Sequence, residues 1–429
     1  MAHLKQHIGL WQGTGLLVST LLGSGVFIVP AMTASLAGSW SLLAWVLMGI
    51  LILPIVFTFA SLGKCYPDAG GTAFYVEQAF GERAADAISW LFLSVIMIGP
   101  PVVFITATNY LCQAFGISND QQGVWQLGLL GSMLLLNLLN MKTAAWVQSL
   151  ISLGICTTLL LAIGIYCFKH PIQLPTTAFS LPNIAQATGQ IFWCFVGIEA
   201  IAHLTGEFRN PERDFPRVVT LGIVIALILY ICLSTVLLSS GFYGSEAQNL
   251  SSVIQLMSSL TGSTGHFIVS LFGLLTCYIG VNTYITSFSR LFYSMAERGQ
   301  IHPRMGKLNR SGAPATGLLF TCGLIAFTLI LRQYFHLPLD ALIGYANGVF
   351  VLIYLAAAIS GLRLLTGKKR FIAILATVVC CLVALSLAGL SLGAQAADLT
   401  IGYITGIAPT QLAQAEGSYD KAIGQKIDW

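Results

Sequence analysis

The chain is dominated by runs of apolar residues about as long as the 20 residues an α-helix needs to cross a bilayer. Eleven such runs cover residues 10–36, 41–62, 85–115, 123–140, 144–168, 188–207, 217–241, 264–293, 314–332, 340–364 and 371–393, numbered spans 1 to 11 below. The hydrocarbon core holds no water. Each backbone N–H and C=O must therefore be satisfied within its own segment, which makes the runs helices, since the period-2 alternation of barrel strands is absent. Composition agrees, with 56% of 429 residues hydrophobic and only 8% charged, against about 25% charged in a soluble domain. The expected class is an all-α membrane protein.

Basic residues orient the spans. With the N-terminus cytoplasmic, all of the 20 Lys and Arg fall on the inner side except Lys169 and Arg332 in outer loops and Lys421 and Lys426 in the tail. A bacterial inner membrane is the expected setting, with lipid as a partner. The net charge of +4 follows from this topology and does not point to nucleic acid. The ten cysteines, among them Cys156, Cys232, Cys322 and the adjacent Cys380-Cys381, show no metal spacing and read as small core residues. No cleavable signal peptide is expected at the start of the chain, and no cofactor is expected.

Glycines mark where helices break. Span 1 carries Gly23-Ser24-Gly25 in its middle, with Pro30 beyond, and span 6 carries Gly197 within Phe195-Val196-Gly197-Ile198-Glu199. Spans n and n+5 broken alike suggest two inverted five-helix repeats with a site between them. A half-helix N-terminus at Ser24-Gly25 suits a carboxylate, and carbonyls near Val196 suit an ammonium. An amino acid offers both charges on one carbon. Gly9, Gly13 and Gly15 read instead as close-packing positions.

Glu199 is the one carboxylate in the middle of a span. Ionising it in hydrocarbon is costly, so it is a candidate for taking up and releasing a proton, or else a hydrogen-bonded structural residue. Trp193 would cap a small-molecule site or face lipid. His203 reads as structural, and His266 and His302 as loop or interface residues. The mixed charges of Glu207-Phe208-Arg209-Asn210-Pro211-Glu212-Arg213-Asp214-Phe215-Pro216-Arg217 suit inner ion pairs, or simply retain positive charge inside.

Three segments are similar to the amino acid–polyamine–organocation (APC) superfamily of transporters. They are Gly23-Ser24-Gly25-Val26-Phe27 with Pro30, Tyr66-Pro67-Asp68-Ala69-Gly70-Gly71, and Phe192 to Ala200 followed by Asn210-Pro211-Glu212-Arg213. Trp193 to Gly197, Asn210 to Arg217 and Asp340-Ala341-Leu342-Ile343-Gly344-Tyr345-Ala346-Asn347-Gly348 resemble the branch that exports L-methionine and branched-chain amino acids. The resemblance, over roughly residues 1–390, implies a LeuT-like five-plus-five inverted-repeat fold with alternating access. The repeats would be residues 1–168 and 188–364, with an additional helix at 371–393. It implies substrate recognition by spans 1 and 6, with Trp193 as an aromatic gate and Glu199 as the acidic residue of span 6. Where arginine-type antiporters carry Asn in span 3 and Trp in span 8, this chain has Pro100 and Asn282, so a neutral side chain is the expected substrate and Asn282 a pocket residue. The span-5 lysine of some proton-coupled relatives is missing, since Lys142 lies at the cytoplasmic edge. Proton coupling through Glu199 is expected. The alternative is sodium held by span-1 carbonyls and the hydroxyls of Thr286 and Ser287.

Span 11 follows Lys368-Lys369-Arg370 and ends at Ala394-Gln395-Ala396, the shape of a signal peptide with a small-residue cleavage site. Residues 398–429 resemble the start of a periplasmic sulfonate-binding protein, so 394–429 reads as an anomalous periplasmic tail from a fused or misassembled reading frame, or else as a natural variant C-terminus. A channel should show repeated filter residues, and a membrane enzyme a metal or nucleotide motif such as HExxH or a Walker loop. Neither is present in the sequence. Export of neutral apolar amino acids is the expected function, with import or exchange as the alternative.

Overall fold

A computed structural model of the chain describes residues 9–66, 71–139, 145–197, 208, 210–335 and 337–395. Among these residues the regular elements are helices. In chain order they are α1 (Leu10–Leu22), α2 (Gly25–Ala37), α3 (Ser41–Cys65), α4 (Gly71–Phe80), α5 (Glu82–Ser94), α6 (Gly99–Phe115), α7 (Gln122–Leu138), α8 (Ala145–Lys169), α9 (Leu181–Ile191), α10 (Pro211–Ser240), α11 (Glu246–Glu297), α12 (Ala315–Phe335), α13 (Leu339–Leu364) and α14 (Gly367–Gln395). Short 3-10 turns join several of them. Among the described residues seven helical stretches are long and apolar enough to cross a membrane. Side chains such as Phe168, Leu153 and Leu160 on α8 and Phe327 and Ile330 on α12 are exposed, as suits lipid surroundings.

The eleven apolar runs are not eleven unbroken helices, and the departures have local causes. Span 1 is divided into α1 and α2 at Gly23-Ser24. Span 3 is interrupted by a 3-10 turn over Val95–Met97. Gly99-Pro100-Pro101 restarts it as α6, because proline lacks the N–H a continuing helix needs but fits a first turn. Span 4 is α7, with 17 residues. Span 6 starts earlier than its apolar run, at Leu181, where Ser180 caps the Asn183 N–H at 3.4 Å and Pro182 sits in the first turn. Gly262, at φ 67° and ψ −149°, splits α11 into a helix over residues 246–261 and span 8 proper. That first helix was not expected, because Ser251, Ser252, Gln255, Ser258 and Ser259 lower its hydropathy.

The two halves echo each other in inverted sense. Each opens on a broken span, and each places a short helix between its second and third spans: α4 in one, residues 246–261 in the other. By the alternation of spans these lie at opposite ends. Asn249, buried in the 246–261 helix, accepts from Ser35 Oγ of α2 and from the Gly244 N–H, both at 3.0 Å. Asn109 of α6 donates to the Leu250 carbonyl at 3.1 Å, and Lys169 Nζ of α8 donates to that of Leu260 at 3.0 Å. These bonds tie α2, α6 and α8 together at that end. At the other end Lys64 pairs with Glu212 at 3.3 Å with side chains 36% and 77% exposed, which contributes no more than about 1 kcal/mol.

Between the ends, small residues let helices approach. A Cβ at Gly273 would stand 2.1 Å from the Tyr110 ring, and one at Gly154 2.2 Å from Phe272. Gly13 packs on Phe208 and Val218 as expected, whereas Gly9 and Gly15 have nothing within 4 Å. All ten cysteines are free. Cys112, Cys194, Cys277, Cys322 and Cys380 are the buried core residues expected, while Cys65, Cys167 and Cys381 are exposed. Pro67 to Gly70, Lys142, Glu199, His203 and everything after Gln395, including the tail, lie outside the described residues.

Candidate functional site

The breaks in spans 1 and 6 meet. In span 1 the chain leaves helical geometry at Gly23, with φ 30°, and restarts as α2 at Gly25. Ser24 occupies the N-cap position, yet its hydroxyl makes no capping bond. It accepts instead from Trp193 Nε1 at 3.4 Å. The first turn of α2 thus keeps amide donors uncapped by a side chain, with the positive end of the helix dipole behind them. In span 6, α9 tightens into a 3-10 turn over Phe192–Phe195, and the chain then runs extended through Val196 at φ −69° and ψ 133° to Gly197 at φ 119°. Extended backbone there leaves carbonyls outside the helical ladder.

Glycine suits the two breaks for different reasons. Gly197 lies in the left-handed half of φ space, and a Cβ on it would stand 2.5 Å from Thr20 Cγ2 of α1. A Cβ on Gly25 would stand 3.0 Å from Cys194 Sγ, 3.1 Å from the Tyr230 hydroxyl and 3.4 Å from Trp193 Cδ1. Gly23, Ser24, Gly25, Trp193, Val196 and Gly197 are therefore brought together as the sequence suggests, and Trp193 is half-buried at the site. Its ring edge also lies 3.8 Å from where a Cβ at Gly99 would stand, at the interruption of span 3. Above the site Phe27 packs on Tyr110, ring centroids 4.7 Å apart.

Two residues not singled out from sequence belong here. Tyr230 of α10 donates to the Leu21 and Leu22 carbonyls at 2.9 and 3.3 Å, groups left without helical partners when α1 ends. It is stacked on Trp45 at 4.7 Å and 16°. A phenol in mid-span signals that need for a polar partner. Cys194 is fully buried against Gly25.

Asn282 takes a different place. Its Oδ1 accepts from Asn137 Nδ2 of α7 at 2.6 Å, and Thr286 Oγ1 donates to Asn137 Oδ1 at 2.8 Å. The Ser287 hydroxyl is exposed and donates to the Thr283 carbonyl at 2.9 Å. These residues, with Ser132 and Tyr278 at 2.8 Å, form a polar seam between spans 4 and 8. His266 contacts the Gln113 carbonyl at 2.9 Å and His302 accepts from the Arg304 N–H at 3.2 Å, the interface and loop roles expected of them. Glu199 lies outside the described residues.

A broken-helix site between inverted repeats in a multi-pass membrane protein defines a transporter class. The amino acid permease family model matches residues 8–402, and the chain belongs to that family, within the APC superfamily. It is 37% identical to the L-methionine/branched-chain amino acid exporter YjeH of Escherichia coli over 89% of this chain and 92% of that protein. It is 30% identical to the amino acid permease YecA of Bacillus subtilis over 86% of this chain and 87% of that one. A solved structure of a Na+-coupled sialic acid symporter, substrate-bound and outward-open, shares the fold. Its TM-score is 0.56 at 15% identity, over 89% of this chain and 90% of that one.

Gly197→Ala is expected to destabilise the protein by about 1–3 kcal/mol, from positive φ together with the Thr20 contact. Thermal unfolding in detergent reads the change. Adding Thr20→Ser, which removes Cγ2, should recover part of the loss and leave the φ cost. A Gly197→Ala protein with unchanged Tm would mean that the break does not hold this conformation.

Proposed function

We propose that the chain is a secondary active transporter that exports neutral apolar L-amino acids, methionine, leucine, isoleucine and valine, across the inner membrane by alternating access with proton coupling. What carries this is the meeting of the uncapped start of α2 with the extended Val196–Gly197 segment. Amide donors backed by a helix dipole suit the substrate carboxylate, and the carbonyl of the extended Val196 suits its ammonium. The side chains at that meeting, Trp193, Cys194, Phe27 and Tyr230, are uncharged. Among the described residues a cationic side chain would there lose its hydration without an anionic partner. Likeness to YjeH, an exporter of methionine and branched-chain amino acids by name, favours outward transport; import or exchange is the alternative. The bias of basic residues supports an N-terminus inside. With Thr286 and Ser287 hydroxyls engaged in span 4 and span 8 bonds, Glu199 and a proton are the preferred coupling.

Counterflow of labelled methionine into proteoliposomes of the purified chain tests the proposal. Leucine, isoleucine and valine should compete with methionine, and arginine and lysine should be at least about tenfold weaker. Strong competition by arginine would favour a cationic amino-acid antiporter. Gly25→Leu should abolish methionine binding while leaving membrane abundance intact, since its side chain would occupy the space between Cys194, Tyr230 and Trp193. Normal binding by an abundant Gly25→Leu protein would remove the site from this meeting point.

Glu199→Gln keeps shape and most hydrogen bonding while removing the charge. It is expected to bind substrate normally and to flatten the pH dependence of transport. A wild-type pH profile in this variant would make the carboxylate structural.

A further inference from the structure

The segment Asp340 to Gly348 in α13 takes no part in the site as described, although it contains a wholly buried amide. Asn347 has 0% exposure in the middle of an apolar span, where an amide requires partners. Its Nδ2 donates to the Gly189 carbonyl of α9 at 2.9 Å. Tyr354, seven residues on and so on the same face of α13, places its hydroxyl 3.5 Å from the Phe195 carbonyl. Its ring packs on Phe192 at 5.5 Å and on Phe59 at 5.2 Å. Nearer the start of α13, Gln190 Nε2 donates to the Asp340 carbonyl at 3.4 Å.

These contacts bracket the 3-10 turn that carries Trp193. Gly189 lies just before that turn, and Phe195 ends it, followed by the extended Val196. Where an α-helix tightens and then stops inside a membrane, its carbonyls need donors from elsewhere. Asn347 and Tyr354 supply donors on either side of the turn, and the Tyr354 ring packs on its first residue. The Asn347 Oδ1 and Gln190 Oε1 atoms are buried without a partner among the described residues, so it is the donor side of each amide that engages the neighbouring span.

We propose that Asn347 and Tyr354 are positioning residues for the substrate site: by holding the Gly189 and Phe195 carbonyls they fix the Phe192–Phe195 turn, and with it Trp193 and the Val196–Gly197 break. The proposal rests on the amino-acid site proposed above. Neither residue touches that site's substrate groups. Loosening the turn should therefore weaken binding while leaving turnover at saturation largely intact.

Cys194 reports on the turn independently of any substrate, because it lies within the turn and is buried. The full chain carrying Asn347→Leu or Tyr354→Phe is treated in membranes with a permeant maleimide, and modification of the Cys194 peptide is read by mass spectrometry. In Asn347→Leu the labelling rate should rise about fivefold to tenfold, and the methionine KM by a similar factor, with Vmax within about twofold, as expected for loss of one buried hydrogen bond. Tyr354→Phe, which keeps the ring packing, should show a smaller change in the same sense. Unchanged labelling in both variants overturns the proposal. So does faster labelling with an unchanged KM, since the turn would then be loose without affecting substrate. If the wild-type chain binds no amino acid, the functional reading fails separately, and unchanged or faster labelling still decides whether α13 holds the turn.

Discussion

A carbonyl or amide released from a helix inside a membrane has no water to turn to, and this requirement governs where polar side chains sit in this protein. The end of α1 releases the Leu21 and Leu22 carbonyls, and Tyr230 receives them. The Gly189 and Phe195 carbonyls beside the 3-10 turn of span 6 are met from α13. The start of α2 is treated differently. Its serine hydroxyl oxygen accepts from the Trp193 N–H and leaves the amides uncapped. Carbonyl groups around the breaks are thus largely stabilised by neighbouring spans, while a set of donors is left for an anionic group.

That asymmetry also accounts for the uncharged side chains that the described residues bring to the meeting point. A fixed counter-ion would have to be desolvated whenever the site was empty, at a cost of several kcal/mol. Helix-end amides are partial charges held in place by the backbone, so they recognise a carboxylate without that penalty. The neighbouring side chains then need to supply only shape. Trp193, Phe27 and Tyr110 do this with rings whose positions are set by packing, as in the 4.7 Å contact of Phe27 with Tyr110.

The breaks were legible because only glycine tolerates their geometry. Gly23 at φ 30° and Gly197 at φ 119° announce themselves in otherwise apolar runs. The interruption of span 3 was written in Gly99-Pro100-Pro101 but is easily lost within a long hydrophobic stretch. The 246–261 helix escaped hydropathy because it lies across one end of the bundle and needs only one apolar face. Tyr230 and Cys194 depend on contacts with residues far away in the chain, and no local pattern encodes such pairs. Asn282 was named only by likeness of position, and no sequence pattern announces that its Oδ1 accepts from Asn137 across the seam between spans 4 and 8.

The two breaks are also mechanically joined. Gly197 leaves no room between itself and Thr20 of α1, and Gly25 is closely packed against Cys194, Trp193 and Tyr230. A packed interface of this kind does not deform gradually. It holds one arrangement until the contacts are exchanged for another, because intermediate separations lose dispersion contacts without gaining new ones. A shift of the turn bearing Trp193 would open its bond to Ser24 and disturb the start of α2 at once. A shift of α1 would strip Tyr230 from the Leu21 and Leu22 carbonyls, leaving them unsatisfied in the membrane interior. α1, α2 and the segment from Phe192 to Gly197 are therefore constrained to move together, and a ligand seated between the start of α2 and Val196 would bear on both spans.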